Sequence, residues 1–117
     1  MANIMVVDDA AFMRISLINI IKKAGHTIID EAENGREAVV KYKKIEPDLV
    51  TMDITMPVMD GVEAVKKITD YDSNANIIMC SAMGQKALVI ETIDAGARDF
   101  ILKPFNETFV LKAINRT

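Results

Sequence analysis

The stretch "LVTMDITMP", residues 49–57, contains a single acidic residue, Asp53, among apolar and uncharged neighbours. Pro47 ends the helical pattern before it, so residues 48–52 are predicted to form a buried strand. An unpaired charge is costly to bury, and aspartate is among the residues that are least often fully buried. Asp53 is therefore predicted to lie at the end of this strand, in a functional site rather than in the core.

Similar short apolar runs recur along the chain, and helix-like patterns separate them. They predict four further strands, at residues 3–7, 27–32, 76–80 and 99–102. Because the runs are nearly continuous in apolar residues rather than alternating, both faces of the sheet are expected to be covered. Five strand–helix repeats of this kind predict a doubly wound α/β domain, in which a five-stranded parallel sheet lies between two layers of helices as a three-layer sandwich.

The composition indicates one globular domain, which we predict to span residues 1–117. Hydrophobic residues make up 50% of the chain and charged residues 26%, and a chain of this length can bury its own core. The formal charge of -3 argues against nucleic acid binding through a broad basic face. The single cysteine, Cys80, fits a reducing compartment, and no apolar run is long enough to span a membrane, so a cytoplasmic location is expected. The chain is also predicted to be a monomer.

Polar residues with useful chemistry follow four of the predicted strands. They are Asp8, Asp9, Asp53, Ser81 and Lys103. Sheets of this class place their sites at the carboxyl ends of the strands, and three carboxylates in one cleft would repel one another unless a cation neutralised them. The oxygen-rich set suits Mg²⁺ together with a phosphate group, whose oxygens Lys103 and Ser81 would bind. Asp53 is then either a metal ligand or a carboxylate nucleophile.

Each of these residues also has an ordinary structural explanation when it is considered alone. Asp8 or Asp9 could cap the first helix, and Ser81 could cap a later one. A lysine before a proline is a weak signal by itself. The joint occurrence of all of them at four strand ends favours a phosphoryl-transfer site, because that chemistry needs mainly positioning and charge neutralisation.

The same residues carry a resemblance to the receiver domain of response regulators. The resemblance extends over essentially the whole chain. The segments that match most clearly are "VVDDAAFMR" (6–14), "NGREAV" (34–39), "TMDITMP" (51–57), "MPVMDG" (56–61), "SAMGQ" (81–85) and "DAGARDFILKPF" (94–105). The chain is most similar to stand-alone chemotaxis receivers. The resemblance implies a flavodoxin-like sheet of order 2-1-3-4-5 with five helices, and a signalling switch rather than an enzyme with an external substrate.

The resemblance also implies a role for each site residue. Asp53 would accept a phosphoryl group from a CheA-like histidine kinase, and Lys103 and Ser81 would bind the phosphoryl oxygens. Mg²⁺ would be held by Asp8, Asp9, Asp53 and the backbone carbonyl of Thr55. The peptide bond before Pro104 would be cis.

The resemblance also implies which residues take part in switching and in the loss of the phosphoryl group. Movement of Ser81 would be coupled to rotation of Phe100, where tyrosine is commoner, so the switch would work by packing alone. Thr55 and Met83 would border the path of the hydrolytic water, and neither offers a carboxylate or an amide to orient it. Spontaneous loss of phosphate is therefore predicted not to be fast, and a separate phosphatase would help. The output partner would be a flagellar motor switch or a chemotaxis adaptor protein.

Other functions remain open from the sequence. A haloacid-dehalogenase-like Mg²⁺-dependent phosphatase uses similar residues, but it needs a second aspartate where this chain has Thr55. A single-domain phosphorelay intermediate outside chemotaxis would share the whole site. A nucleotide-binding module ranks last, since the chain has no glycine-rich phosphate-binding motif.

The predicted fourth helix, from about Gln85 to Ala95, is apolar around more than one face. Its apolar residues include Ala87, Leu88, Val89, Ile90 and Ile93. A helix that is buried on one side needs only a stripe. The pattern fits either a broad core contact or a partner surface, and the exposure of Leu88 distinguishes the two.

Overall fold

Five strands alternate with five helices in the computed structural model, which describes residues 2–117. The strands are β1 (Asn3–Val7), β2 (Thr27–Ala32), β3 (Leu49–Asp53), β4 (Ile77–Ser81) and β5 (Asp99–Leu102). The helices are α1 (Ala11–Lys23), α2 (Gly35–Ile45), α3 (Gly61–Tyr71), α4 (Lys86–Ala95) and α5 (Glu107–Arg116). None of these helices is long and apolar enough to cross a membrane.

All the strand pairs are parallel, and the sheet order is β2-β1-β3-β4-β5. This confirms the doubly wound fold and the expected order. The chain reverses its direction of winding between β1 and β3, so the carboxyl ends of these two strands border the crevice where such folds bind ligands. Asp53 pairs with Cys80, and Ser81 pairs with Leu102, so the predicted site residues share one edge.

The core consists of two apolar clusters, whose residues alternate along the central strands. Val50 and Met52 belong to one cluster, and Leu49 belongs to the other. Residues alternate in this way because successive side chains of a strand point to opposite faces. The expectation of two covered faces holds for β1, β3 and β4 but not for β2 and β5, which are edge strands with several exposed positions.

The ends of two strands differ from the prediction by one residue. β3 was predicted over residues 48–52 and β4 over 76–80, but they run over Leu49–Asp53 and Ile77–Ser81. Asp53 and Ser81 are therefore the last residues of their strands rather than the first residues beyond them. Both remain in the strand because their backbones still pair with the neighbouring strand.

The Asn34 side chain caps the start of α2. The Asn34 side chain accepts a hydrogen bond of 2.9 Å from the Glu37 N–H, which satisfies one free donor of the first helical turn. Asp60 caps α3 in the same way, through the Glu63 N–H at 2.9 Å. This cap fixes where α3 begins, eight residues along the chain from the end of β3 at Asp53.

Helix α4 exposes much of its apolar surface. Within it only Val89 and Thr92 are buried, whereas Leu88 is 37% exposed and Ile90 is 52% exposed. A broad core contact is therefore wrong, and the exposed apolar face is the arrangement expected of a partner surface.

Candidate functional site

Three carboxylates from two strand ends form an acidic cluster. Asp8, Asp9 and Asp53 each offer an oxygen, and these oxygens all lie within 4.8 Å of one another. Asp8 and Asp53 are buried, while Asp9 is exposed. The cluster thus has two carboxylates fixed in the protein and one at the solvent side.

Lys103 joins the two buried carboxylates. Its Nζ lies 2.8 Å from Asp8 Oδ2 and 3.2 Å from Asp53 Oδ1. The Lys103 backbone N–H donates to the Ser81 carbonyl at 2.8 Å, which places the lysine directly beyond β5 and beside β4. The following peptide bond, to Pro104, is cis, as the resemblance implied.

Backbone N–H groups orient both buried carboxylates. Asp53 Oδ1 accepts from the Ile54 N–H at 2.9 Å, and Asp8 Oδ1 accepts from the Ala10 N–H at 2.9 Å. Among the hydrogen bonds and ion pairs of residues 2–117, those of the Asp53 side chain all involve Oδ1. Its second oxygen, Oδ2, is therefore the one left for a new bond or a metal ion.

Opposing electrostatic effects act on the pKa of Asp53. Burial, the charge of Asp8 and the charge of Asp9 raise the pKa of Asp53, and the charge and hydrogen bond of Lys103 lower it, with a balance of about 6. Burial disfavours the charge of Lys103, but the hydrogen bond to Asp8 and the charge of Asp53 outweigh it, so the pKa of Lys103 is raised. Lys103 thus stays a cation at neutral pH, and Asp53 is mainly a carboxylate there.

A glycine allows α3 to begin against the strand that ends in Asp53. The Gly61 N–H donates to the Ile54 carbonyl at 2.7 Å. A Cβ atom at Gly61 would lie only 2.1 Å from the carbonyl oxygen of Asp53. No larger residue fits here without moving the backbone that carries the carboxylate.

The other predicted site residues lie on or just after β3, β4 and β5. Ser81 is buried at the end of β4, while Thr55 is exposed in the loop after β3. Phe100 on β5 is 44% exposed and Met83 is 88% exposed. The hydrogen bonds and ion pairs within residues 2–117 join neither Ser81 nor Thr55 to the carboxylates.

Gln85 makes two polar contacts beside the site. The sequence analysis did not identify it as a site residue. Its Oε1 accepts from the Ala82 N–H at 2.7 Å, and its Nε2 donates to the Thr55 hydroxyl at 2.9 Å. The available signal was its position directly after Gly84, where it precedes α4. That signal predicts a helix start and says nothing about a partner 30 residues away.

The donor set fits a hard divalent cation. Carboxylate oxygens are the ligands that Mg²⁺ prefers, and Mg²⁺ commonly keeps several waters besides one or two protein carboxylates. The exposed Asp9 leaves one side of the cluster open to solvent. The cluster therefore suits a hard cation such as Mg²⁺ better than a metal that favours nitrogen and sulfur ligands.

Fold and site together define a class of protein. The model of the response regulator receiver domain family matches residues 4–115. The chain belongs to this family.

Within this family, the chain is similar in sequence and structure to CheY proteins. The chain is 60% identical over 113 residues to the chemotaxis protein CheY of Thermotoga maritima, which covers 97% of this chain and 94% of the relative. It is 60% identical over 114 residues to CheY of Bacillus subtilis, which covers 97% and 95%. A chain in the CheX-CheY-BeF3-Mg²⁺ complex from Borrelia burgdorferi superimposes with a TM-score of 0.93 at 42% identity, over 97% of this chain and 87% of that one. The protein is thus a CheY-like receiver domain.

Proposed function

We propose that this chain is the phosphate-accepting response regulator of a two-component chemotaxis system and that residues 1–117 act as one receiver domain. The observation that carries the proposal is the Asp53 carboxylate. Lys103 and Ile54 hold one of its oxygens, and the other has no hydrogen bond or ion pair within residues 2–117. The similarity to two CheY proteins over nearly their full length supports the chemotaxis role. A cytoplasmic location goes with this role.

The proposed reaction is a phosphoryl transfer from a CheA-like histidine kinase. The free oxygen of Asp53 forms a bond to phosphorus while the bond between phosphorus and a histidine nitrogen of the kinase breaks, and that nitrogen keeps the electron pair. Lys103 neutralises charge on the phosphoryl oxygens, and the Ser81 hydroxyl donates to one of them. Hydrolysis later returns the Asp53 carboxylate and inorganic phosphate.

Asp8, Asp9, Asp53 and the Thr55 carbonyl are the proposed ligands of Mg²⁺. The ion, when bound, supplies positive charge that favours the phosphorylated carboxylate. The Ala10 N–H already orients the Asp8 carboxylate for this role. Asp9 adds a ligand at the solvent side, where an ion with its remaining waters can enter.

The proposed output is a docking surface on α4, β5 and α5. It includes the exposed apolar residues of α4 and Phe100 of β5, which is 44% exposed. The proposed partners are a flagellar motor switch or a chemotaxis adaptor protein. A separate phosphatase is also proposed, and the solved CheX-CheY complex from Borrelia burgdorferi makes a CheX-like protein the first candidate to test.

Incubation with a small phosphodonor and Mg²⁺ tests the proposal. We expect intact-mass spectrometry to show one added phosphoryl group on the natural protein and none on Asp53→Asn. Asp70→Asn is the matched control, since Asp70 is an exposed aspartate on α3, and it should be labelled like the natural protein. Equal labelling of Asp53→Asn would refute the acceptor role, and sustained turnover of phosphate esters would indicate a phosphatase instead.

A further inference from the structure

The two loops that flank Asp53 are tied together by one side chain. The loop after β3 contains Thr55, and the loop after β4 contains Ala82. Gln85 bonds to both, with its carbonyl oxygen on the Ala82 N–H and its amide nitrogen on the Thr55 hydroxyl. Among the hydrogen bonds of residues 2–117, this is the one link between residues 54–60 and residues 82–85.

The tie holds a backbone donor close to the acceptor site. Cys80 lies opposite Asp53 in the sheet register, so Ala82 is only two residues beyond that pair and directly follows Ser81. Its N–H is an obligatory donor, and Gln85 now satisfies it with a neutral amide oxygen. The half-buried position of Gln85 keeps the side chain in place beside the loops.

A phosphoryl group on Asp53 would compete for the same donor. It would bring three strong acceptor oxygens with negative charge, and a charged acceptor forms a stronger hydrogen bond with an N–H than a neutral amide does. To donate fully to a phosphoryl oxygen, the Ala82 N–H would have to give up its bond to Gln85 Oε1. The bond to Gln85 and a bond to the phosphoryl group would then be alternatives.

We propose that Gln85 is a positioning residue that stabilises the resting arrangement of these loops. Release of its bonds to Ala82 and Thr55 accompanies phosphorylation, so the strength of the tie sets how readily the domain accepts a phosphoryl group. This inference rests on the proposed function. It assigns to Gln85 an effect opposite to that of Lys103 and Ser81, because Gln85 favours the unphosphorylated form.

Binding of beryllofluoride, a stable phosphoryl mimic, tests the proposal with Mg²⁺ present. Gln85→Leu removes both bonds at similar size, and we expect its affinity for beryllofluoride to rise by about two- to tenfold, the range that corresponds to one neutral hydrogen bond. Gln85→Glu keeps an acceptor for Ala82 and for the Thr55 hydroxyl and adds a repulsive charge, so its affinity should fall. A residue that only supports the loop would give lower or unchanged affinity in both variants.

A double-mutant cycle examines the tie itself. Thr55→Val removes the second partner of Gln85 but keeps the backbone carbonyl of residue 55. It should increase beryllofluoride affinity in the natural background and have no effect in the Gln85→Leu background. Equal effects of Thr55→Val in both backgrounds would refute an energetic coupling between Gln85 and Thr55.

The controls separate this inference from the proposed function. Beryllofluoride binding that persists unchanged in Asp53→Asn would refute the proposed function. Binding that depends on Asp53 but is equal in the natural protein and Gln85→Leu would refute only the role of Gln85. The Ala82 amide resonance should also shift on addition of beryllofluoride in the natural protein, and its hydrogen exchange should be faster in Gln85→Leu before addition.

Discussion

The Asp53 carboxylate is held where its charge is disfavoured by burial and by Asp8, and favoured by Lys103. The net result is a pKa of about 6 in the folded protein, against an ordinary value of 3.8. A raised carboxyl pKa means that the folded state binds the proton more tightly than the unfolded chain does. The stability contribution of Asp53 is therefore fully present below pH 3.8 and is lost as the pH rises through about 6.

Replacement of this carboxylate by an amide should stabilise the metal-free protein at neutral pH. We expect Asp53→Asn to raise the free energy of unfolding by about 1–2 kcal/mol above pH about 7, a figure that allows for the solvent that reaches the site. The gain should shrink as the pH falls below about 6, because Asp53 itself then becomes neutral. Urea unfolding of both proteins at several pH values measures the gain and its dependence on pH. A gain that is equal at all pH values would contradict it, and Asp70→Asn should show no gain.

We propose that Thr55 and Met83 border the path of the water molecule that hydrolyses phosphorylated Asp53. Neither side chain presents a carboxylate, and Met83 is 88% exposed. We expect Met83→Glu or Thr55→Asn to shorten the half-life of phosphorylated Asp53 by about three- to tenfold, since one added hydrogen bond to the water has that range of effect. Release of inorganic phosphate measures the rate. Met83→Leu should leave it unchanged, and a natural half-life no longer than that of both variants would refute the prediction.

At the scale of the elements, the site depends on how closely α3 begins against β3. Gly61 is the first residue of α3, and its backbone contacts the backbone of Asp53 and Ile54. The contact aligns the start of the helix with the end of the strand. A change at this junction therefore alters stability and site geometry together.

Gly61→Ala should destabilise the fold by about 2–3 kcal/mol, as overpacking of a tight contact does. The new methyl group would lie 2.1 Å from the Asp53 carbonyl oxygen, so the strand end must move. We also expect weaker Mg²⁺ binding. Gly84→Ala is the matched control, because its Cβ meets no atom within 4 Å and its φ of +86° adds only backbone strain. Urea unfolding and Mg²⁺ titration of both variants measure the difference, and equal losses would contradict the steric explanation.

The number of the strands and helices and their succession along the chain could be predicted because each apolar run is short and clearly bounded. The order of the strands within the sheet came only from the resemblance. β2 and β5 have the predicted bounds, since Asp99 and Thr27 follow helix-ending glycines closely. The ends of β3 and β4 could not be placed, because a pattern of hydrophobicity does not show whether Asp53 and Ser81 still pair through their backbones. The contact of Gln85 with Thr55 could not be predicted either, since it depends on the path of two loops.

At the scale of the whole molecule, the site joins parts of the chain that are far apart in sequence. Asp8 follows β1, Asp53 ends β3 and Lys103 follows β5, and ion pairs connect all three. In the metal-free protein one lysine faces two buried carboxylates, with Asp9 adding a further negative charge nearby. A cation that binds this cluster relieves the repulsion only in the folded state.

Mg²⁺ should therefore stabilise the whole domain. At a free concentration about ten times its dissociation constant, a ligand that binds only the folded state adds about 1.4 kcal/mol to the free energy of unfolding. Asp9→Asn isolates this effect, because Asp9 is exposed and takes part in none of the ion pairs within residues 2–117. We expect Asp9→Asn to be at least as stable as the natural protein in EDTA, because one repulsive charge is gone, but to gain much less from Mg²⁺ in thermal unfolding. Asp70→Asn should keep the full gain, and an equal gain in Asp9→Asn would show that the ion binds elsewhere.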